Sequence, residues 1–445
     1  MNLLTKFFSP ISLLVSIIFL AYVYYKAEIY WGGSPSDIYL VYYAISFFLI
    51  FFSFVSFVFK NNIKEYLIIF ILTILAFLYG FEGFLNLNKE IPKWQIEKKI
   101  KYEKQTGDKY DSRTILEIFE DLKKEDKEVK ISLAPLIYFY PNNEIFPLSN
   151  TSNSKTIFCN ENGYYSIYRS DRYGFNNPDQ EWNSDEIEYL LVGDSFTHGA
   201  CVNRPEDIGS VLRILSGKSV LNLGYSANGP LIEYATLKEY LHPKVKKVLW
   251  VYYEGNDFKD LKNELKNKTL KNYLTNNNFK QNLILRQSEI NKLVNSKIKI
   301  SVDPKHKIKK YILLSKTRSF LITNFNFKIK KNSNDSQKKV PESFKNILKL
   351  TKDFVENNNS ELYFIFLPRM SSTEIYNNKT YDEELYLLVK QIVTELKIPF
   401  IDIKKEIHDF DGNVLRFLPL ETLGGHYNAK GYKKIAELIY KLSKW

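Results

Sequence analysis

The first ninety residues place the tightest limit on what this chain can fold into. Three apolar stretches stand there, roughly residues 11–25, 38–59 and 66–85, and the last two are almost free of charge. A helix of about 20 apolar residues crosses the hydrocarbon core of a bilayer. The first stretch is shorter, but Phe7 and Phe8 before it and Tyr30 and Trp31 after it extend its apolar reach. A cleaved leader would give way to polar sequence, whereas here a second apolar run follows at once. Three transmembrane helices over residues 1–88 are therefore expected. The loop 27–37 carries Glu28 and Asp37 and no base, while the loop 60–65 carries Lys60 and Lys64 against Glu65. The positive-inside tendency then leaves the amino terminus in the cytoplasm. Everything after the third span would lie outside, in a plasma membrane of bacterial type. Lys89 and Lys93 crowd the end of that span and argue for the opposite sense.

The formal charge of +12 is unevenly spread. Residues 259–339 hold 21 Lys+Arg against 5 Asp+Glu, a net of +16 that leaves −4 for the rest. Such a basic insert can meet polyanionic glycan, lipid phosphate or the membrane surface, or it can be a solvated lysine- and asparagine-rich face. No aromatic platform or nucleic-acid motif accompanies the lysines, so nucleic acid is not an expected partner. The two cysteines, Cys159 and Cys201, both fall in the region expected outside. In an oxidising compartment they can pair and close a loop of about 40 residues, worth about 4 kcal/mol in the entropic account. The other reading is two separate buried thiols. No Cys/His spacing points to a structural zinc site.

Residues 89–150 are highly charged and partly helical in pattern, and read as a stalk or arm before the main domain, 151–445. From residue 188 a regular alternation begins. EYLLVGDS, SVLNLG, KKVLWVYYEGND, ELYFIFLP and IPFIDI are short apolar runs of strand type. PEDIGSVLRILSG, GPLIEYATLKEYL, PESFKNILKLTKDFVENN, YDEELYLLVKQIVTELK and AKGYKKIAELIYKL have helical spacing between or after them. Alternating buried strands and helices imply an α/β fold with a parallel five-stranded sheet covered on both faces. The basic insert, about 260–340, interrupts it after the third strand.

In open parallel sheets, ligands bind beyond the carboxyl ends of the strands. Three strands here end in polar signatures, Gly193-Asp194-Ser195, Asn222-Leu223-Gly224 and Gly255-Asn256-Asp257, and GGHYNAKGY with His426 precedes the last helix. Each alone is an ordinary turn. Together they supply a hydroxyl nucleophile, an imidazole base and amide donors for an oxyanion, which is what acyl chemistry needs. Asp194 is expected to order the turn, and His198 to be structural or pocket-lining, although its closeness in sequence makes it a rival base.

The order GDSF, NLGYSANGP, YYEGND, GGHYNAKGY resembles the four blocks of the SGNH/GDSL hydrolase superfamily over about residues 188–443, apart from the insert. The resemblance implies a flavodoxin-like three-layer sandwich, no cofactor and no metal. It puts Ser195 as nucleophile, His426 as base, and Ser195, Gly224 and Asn256 around the oxyanion. RSDRYGFNNPD, just before the serine, is similar to a segment of membrane-linked relatives acting on surface polysaccharides. Thr197 stands two after Ser195, so the site is not the Gly-x-Ser-x-Gly elbow. Family members carry an aspartate two or three residues before the histidine to orient it. This chain has Leu423 and Gly424 there. Glu421 is the nearest acid, with Asp409 and Asp411 further away; otherwise a backbone carbonyl holds the ring, or the site is degraded.

What the resemblance and the spans together imply is an esterase removing O-acyl groups, most often acetyl, from a cell-envelope polysaccharide. The alternatives are an O-acetyltransferase of the same glycan, drawing on a separate membrane acyl-donor protein, and a catalytically silent glycan-binding scaffold.

Overall fold

The computed structural model describes residues 2–30, 36–88, 93–139, 144–324, 342–369, 383–408, 414–421 and 425–443. They divide into two compact units. The first holds helices α1 (Asn2–Tyr24), α2 (Ser36–Ser56) and α3 (Asn61–Leu87) with residues 303–324. All three helices are long and apolar enough to cross a membrane. α1 is longer than the apolar stretch 11–25 and runs through Pro10. Where α1 meets α2, Ser9 Oγ donates to the Ser56 carbonyl at 3.0 Å and Ser16 Oγ lies 3.2 Å from Ser53 Oγ. Small hydroxyl residues let two backbones approach closely while leaving no polar atom facing hydrocarbon.

The second unit holds residues 93–139, 144–302 and everything described from 342 onward. Strands β1 (Lys130–Ile131), β2 (Lys155–Ile157) and β3 (Ile167–Arg169) form a small mixed sheet. The main sheet contains β4 (Ile187–Gly193), β5 (Val220–Asn222), β6 (Val245–Tyr253), β7 (Glu361–Leu367) and β8 (Phe400–Asp402), all parallel, in the order β5-β4-β6-β7-β8. This is the α/β arrangement expected, with the flavodoxin-like order. Leu190, Leu191, Val192, Val248, Leu249, Trp250 and Val251 are completely buried, since helices cover both faces and no polar alternation is needed. The chain leaves β4 for β5 on one side and then crosses to β6 on the other. The end of β4 is therefore the switch point, where the fold leaves a crevice.

Residues 93–139, within the segment read as a stalk or arm, pack in this second unit. β1 pairs in parallel with β2, Lys130 opposite Thr156 and Ile131 opposite Ile157. The helix Ile115–Glu125 starts with a full capping box, Thr114 with Glu117. Asp111 N–H donates to the Gly163 carbonyl at 2.9 Å, and Tyr102 packs edge-on against Tyr110. Gly163 has φ +93°, and a Cβ there would fall 2.2 Å from the Tyr102 ring, so only glycine allows this contact.

The basic insert is not one thing either. Its first part joins the second unit and covers the helix Pro230–Tyr240, whose eleven residues are all buried. Glu264 caps that helix, accepting N–H bonds from Gly229 at 2.6 Å and Leu231 at 2.9 Å, because Gly229 has no side chain to do so. Glu239 accepts from Tyr273 Oη, Gln281 N and Leu283 N of the insert. A helix carrying Glu233, Lys238 and Glu239 reads as half-exposed; the insert covers Lys238 and Glu239, while Glu233 lies by Trp250 of β6.

Candidate active site

Ser195 follows β4 at the head of the short helix Ser195–His198. Asp194 caps that helix, its Oδ1 accepting the Phe196 N–H at 2.8 Å, and Gly199 ends it at φ 84°. The turn is wedged between strand ends at close range. A Cβ on Gly193 would lie 2.1 Å from Thr197 Oγ1 and 2.6 Å from the Val251 carbonyl oxygen. One on Gly224 would lie 2.5 Å from the His198 N. The glycines of the first two blocks thus admit the serine turn into the crevice.

His426 stands just before the helix Ala429–Leu442, held from behind by Asn428. That residue caps the helix and donates to the Arg416 and Leu418 carbonyls at 2.8 Å each. The imidazole Nε2 is 2.8 Å from Ser195 Oγ. Its Nδ1 is 3.1 Å from Glu161 Oε1, and the His426 backbone N–H donates to Glu161 Oε2 at 2.6 Å. An ionised carboxylate only accepts, so the Nδ1 proton faces Glu161 and Nε2 is left to take the serine proton. Phe196 stacks on Tyr253 at 3.9 Å and lies tilted against the His426 ring at 4.7 Å. Burial pulls the His426 pKa down, but the hydrogen bond and charge of Glu161, with the Asp194 charge, outweigh it and leave it raised. Glu161 goes the other way. Burial raises it, and its bonds to the His426 ring and backbone, the ring's charge and Lys98 bring it below the ordinary carboxylate value.

Glu161, not Glu421, is thus the acid beside His426. Glu421 is exposed, and its carbonyl accepts from Lys101 Nζ at 3.2 Å. Asp409, Asp411, Leu423 and Gly424 lie outside the described residues. His198 is no rival base: its ring is buried, edge-on to Phe158 and Tyr168, with Nδ1 3.2 Å from the Gly224 carbonyl oxygen. Burial lowers its pKa to about 4.

The expected oxyanion donors are only partly assembled. The Ser195 N–H is the first of its helix and so has no intrahelical acceptor. The Gly224 N–H is bonded to Asn222 Oδ1 at 2.9 Å, and Asn256 Nδ2 to Asp260 Oδ2 at 2.7 Å. Burial raises the Asp260 pKa to about 6, so the partner of Asn256 loses charge in mildly acidic conditions.

Cys159 and Cys201 form a disulfide. It ties the segment carrying Glu161 to the chain three residues beyond the serine helix. Cys201 Sγ is 4.0 Å from His426 Nδ1, and Asn162 Nδ2 donates to the Cys201 carbonyl at 2.9 Å. Glu161, Cys201 and His426 bring their ligand atoms within 4.8 Å of one another, but the sulfur is spent in the disulfide and is not the thiolate that binds metal. Glu161 escaped the sequence reading because it sits outside all four blocks, 265 residues from His426. The signal was the cysteine pair: Cys159 is two residues before it and Cys201 six after Ser195. Reducing the disulfide, or the double change Cys159→Ser/Cys201→Ser, is expected to lower kcat at least ten-fold with KM little changed, because the acid loses its tether. An unchanged kcat in the double variant would show that the tether is dispensable.

No family model matches the chain, and no curated protein does. Solved structures do. A lipolytic protein of the G-D-S-L family from Desulfitobacterium hafniense matches at 16% identity and TM-score 0.32, over 58% of this chain and 99% of its own. A carbohydrate esterase family 2 enzyme with a carbohydrate-binding domain from Corynascus thermopiles matches at 10% identity and TM-score 0.30, over 63% and 70%. The acetyl xylan esterase AlAXEase matches at 11% identity and TM-score 0.31, over 57% and 98%. The likeness to the SGNH/GDSL hydrolases stands on the chain's own order: a serine at the end of β4, the switch-point strand of an all-parallel five-stranded sheet, beside a histidine just before the last helix.

Proposed function

We propose that the chain is a serine esterase of the SGNH type that removes O-acyl groups, most often acetyl, from a cell-envelope polysaccharide. The observation that carries the reading is the continuous line Ser195 Oγ, His426 Nε2, His426 Nδ1, Glu161, with spacings of 2.8 and 3.1 Å. Ser195 Oγ attacks the ester carbonyl carbon as His426 Nε2 takes its proton. Glu161 holds the ring and stabilises the imidazolium that forms. The oxyanion is met by the Ser195 N–H, by Asn256 Nδ2 once it turns from Asp260, and by the Gly224 N–H once it leaves Asn222. Collapse returns the proton to the leaving alcohol. Water, deprotonated by the same imidazole, then releases the acid and restores the serine.

The disulfide supports an extracytoplasmic domain, since such bonds persist in oxidising compartments. The three apolar helices support attachment to the membrane where an envelope glycan is met. The test is to incubate the full-length, detergent-solubilised protein with acetylated and unacetylated envelope glycan. Free acetate from the first is the expected result. Acetyl gain on the second, only when a membrane donor is added, would make it a transferase. Neither change, with no fluorophosphonate adduct on Ser195, would leave a binding scaffold.

A further inference from the structure

The second part of the insert has a different surroundings from the first. Helices Pro304–Ile312 and Ser315–Asn324 pack in the same unit as α3, against its last turns. Buried Glu82 of α3 caps the second helix, accepting N–H bonds from Lys316 at 3.1 Å and Thr317 at 2.8 Å and the Thr317 hydroxyl at 2.9 Å. Lys316 Nζ donates to the Leu85 carbonyl at 3.0 Å. Tyr79 Oη donates to the Ile312 carbonyl and Tyr311 Oη to the Tyr79 carbonyl, each at 3.0 Å. Phe81 meets Phe320 edge-on at 5.3 Å. These bonds fix the pair at the end of an apolar helix of membrane-crossing length, where such a helix leaves the hydrocarbon.

What the pair then exposes is unusual for a surface facing water. Ile308 is 59% and Ile312 58% exposed, and Leu313 and Phe320 are exposed as well. Residues 303–324 also hold six Lys+Arg against one acid, Asp303. Among the described residues, no acidic group pairs with Lys305, Lys309 or Lys310. Apolar side chains and unpaired lysines on short helices, held at the depth where a span ends, are the pattern of an element lying in the headgroup layer. Lysine stems can lie along acyl chains while their ammonium groups reach phosphate.

We infer that residues 303–324 form an interfacial membrane element that binds anionic phospholipid. Ile308, Ile312 and Phe320 enter the acyl boundary, and Lys305, Lys309 and Lys310 meet headgroup phosphates. The occupant is the bilayer rather than glycan, because the exposed apolar groups would have no partner on a polyanion and the patch continues the surface of α3. The inference rests on α3 crossing the membrane, not on the esterase reading. It also gives Lys305, Lys309 and Lys310 a task on the side where the positive-inside tendency does not expect them.

The test uses the full chain in bacterial membranes, with a photoreactive phenylalanine analogue at Ile308, Ile312 or Phe320 and, as control, at exposed Leu285 of the other unit. Phospholipid adducts at the first three and none at Leu285 are expected. Adducts to a second copy of the chain or to glycan, or no lipid adduct at all, would overturn the inference. In nanodiscs, backbone hydrogen exchange over residues 304–324 is expected to slow on the order of ten-fold when phosphatidylglycerol replaces part of the phosphatidylcholine. The triple change Lys305→Gln/Lys309→Gln/Lys310→Gln should abolish that difference. Equal exchange in both lipids for the unaltered protein would remove the anionic-lipid claim, whatever the ester turnover.

Discussion

Ser195→Ala is expected to lower ester turnover by on the order of 10⁴- to 10⁶-fold, the loss seen when a serine nucleophile is removed from an otherwise intact site. The protein should remain folded. Among the described residues Ser195 Oγ has one partner, His426 Nε2, and the substitution leaves the Asp194 cap and the close glycine contacts untouched. Loss of one side-chain hydrogen bond is worth about 1 kcal/mol, small against the stability of a domain of this size. The measurements are turnover of an acetyl ester, fluorophosphonate labelling and the thermal midpoint. Unaltered protein should carry the label on Ser195, and the variant should carry none at an unchanged midpoint. Turnover surviving in a folded variant would remove Ser195 from the reaction.

Glu161→Gln is the second large effect, a loss of about 10²- to 10⁴-fold in kcat with KM little changed. Glutamine fills the same space but can present N–H to His426 Nδ1. The ring proton would then move to Nε2, and the imidazole could no longer accept from serine. Glu421→Gln, on an exposed residue, should leave kcat unchanged. The pH profile separates a positioning role from a merely structural one. The base form of His426 is needed, so activity rises with pH through a pKa that Glu161 holds above the ordinary imidazole value. Without that carboxylate, burial dominates and the acidic limb should move to lower pH. A limb that stays in place would show that Glu161 does not act on the ring.

The same pair affects stability, with opposite signs at its two ends. Glu161, with its pKa lowered, contributes stability above the ordinary carboxylate pKa and loses it as pH falls through the folded value. His426, with its pKa raised, contributes below the ordinary imidazole pKa and loses that as pH rises through the folded value. Their joint contribution is therefore complete between the two ordinary values and fades on either side.

Much of this was legible in the residues. The five apolar runs became the five parallel strands because strand burial and helix periodicity are local properties of the chain. Ser195, Gly224, Asn256 and His426 could be named because each lies within a few residues of a strand end or helix start. Placing them beyond one edge of the sheet needs only the topology. Even the cysteine pair was visible, as one of two readings.

Other features depended on chain segments far apart in sequence. Glu161 reaches His426 only because the disulfide, the Asp111–Gly163 bond and the Tyr102 ring hold its loop against the crevice. An orienting acid needs only position, and any carboxylate that arrives there will serve, so no local pattern marks it. The insert likewise reads as one basic run, yet its first part buries the helix Pro230–Tyr240 and its second part docks on α3 through Glu82. Sequence by itself determined the three apolar helices, the sheet and the serine at the end of its first strand, since these follow from periodicity and short blocks. The tertiary structure alone decided the acid and the two fates of the insert, because hydrogen bonds and packing act between residues that only folding brings together.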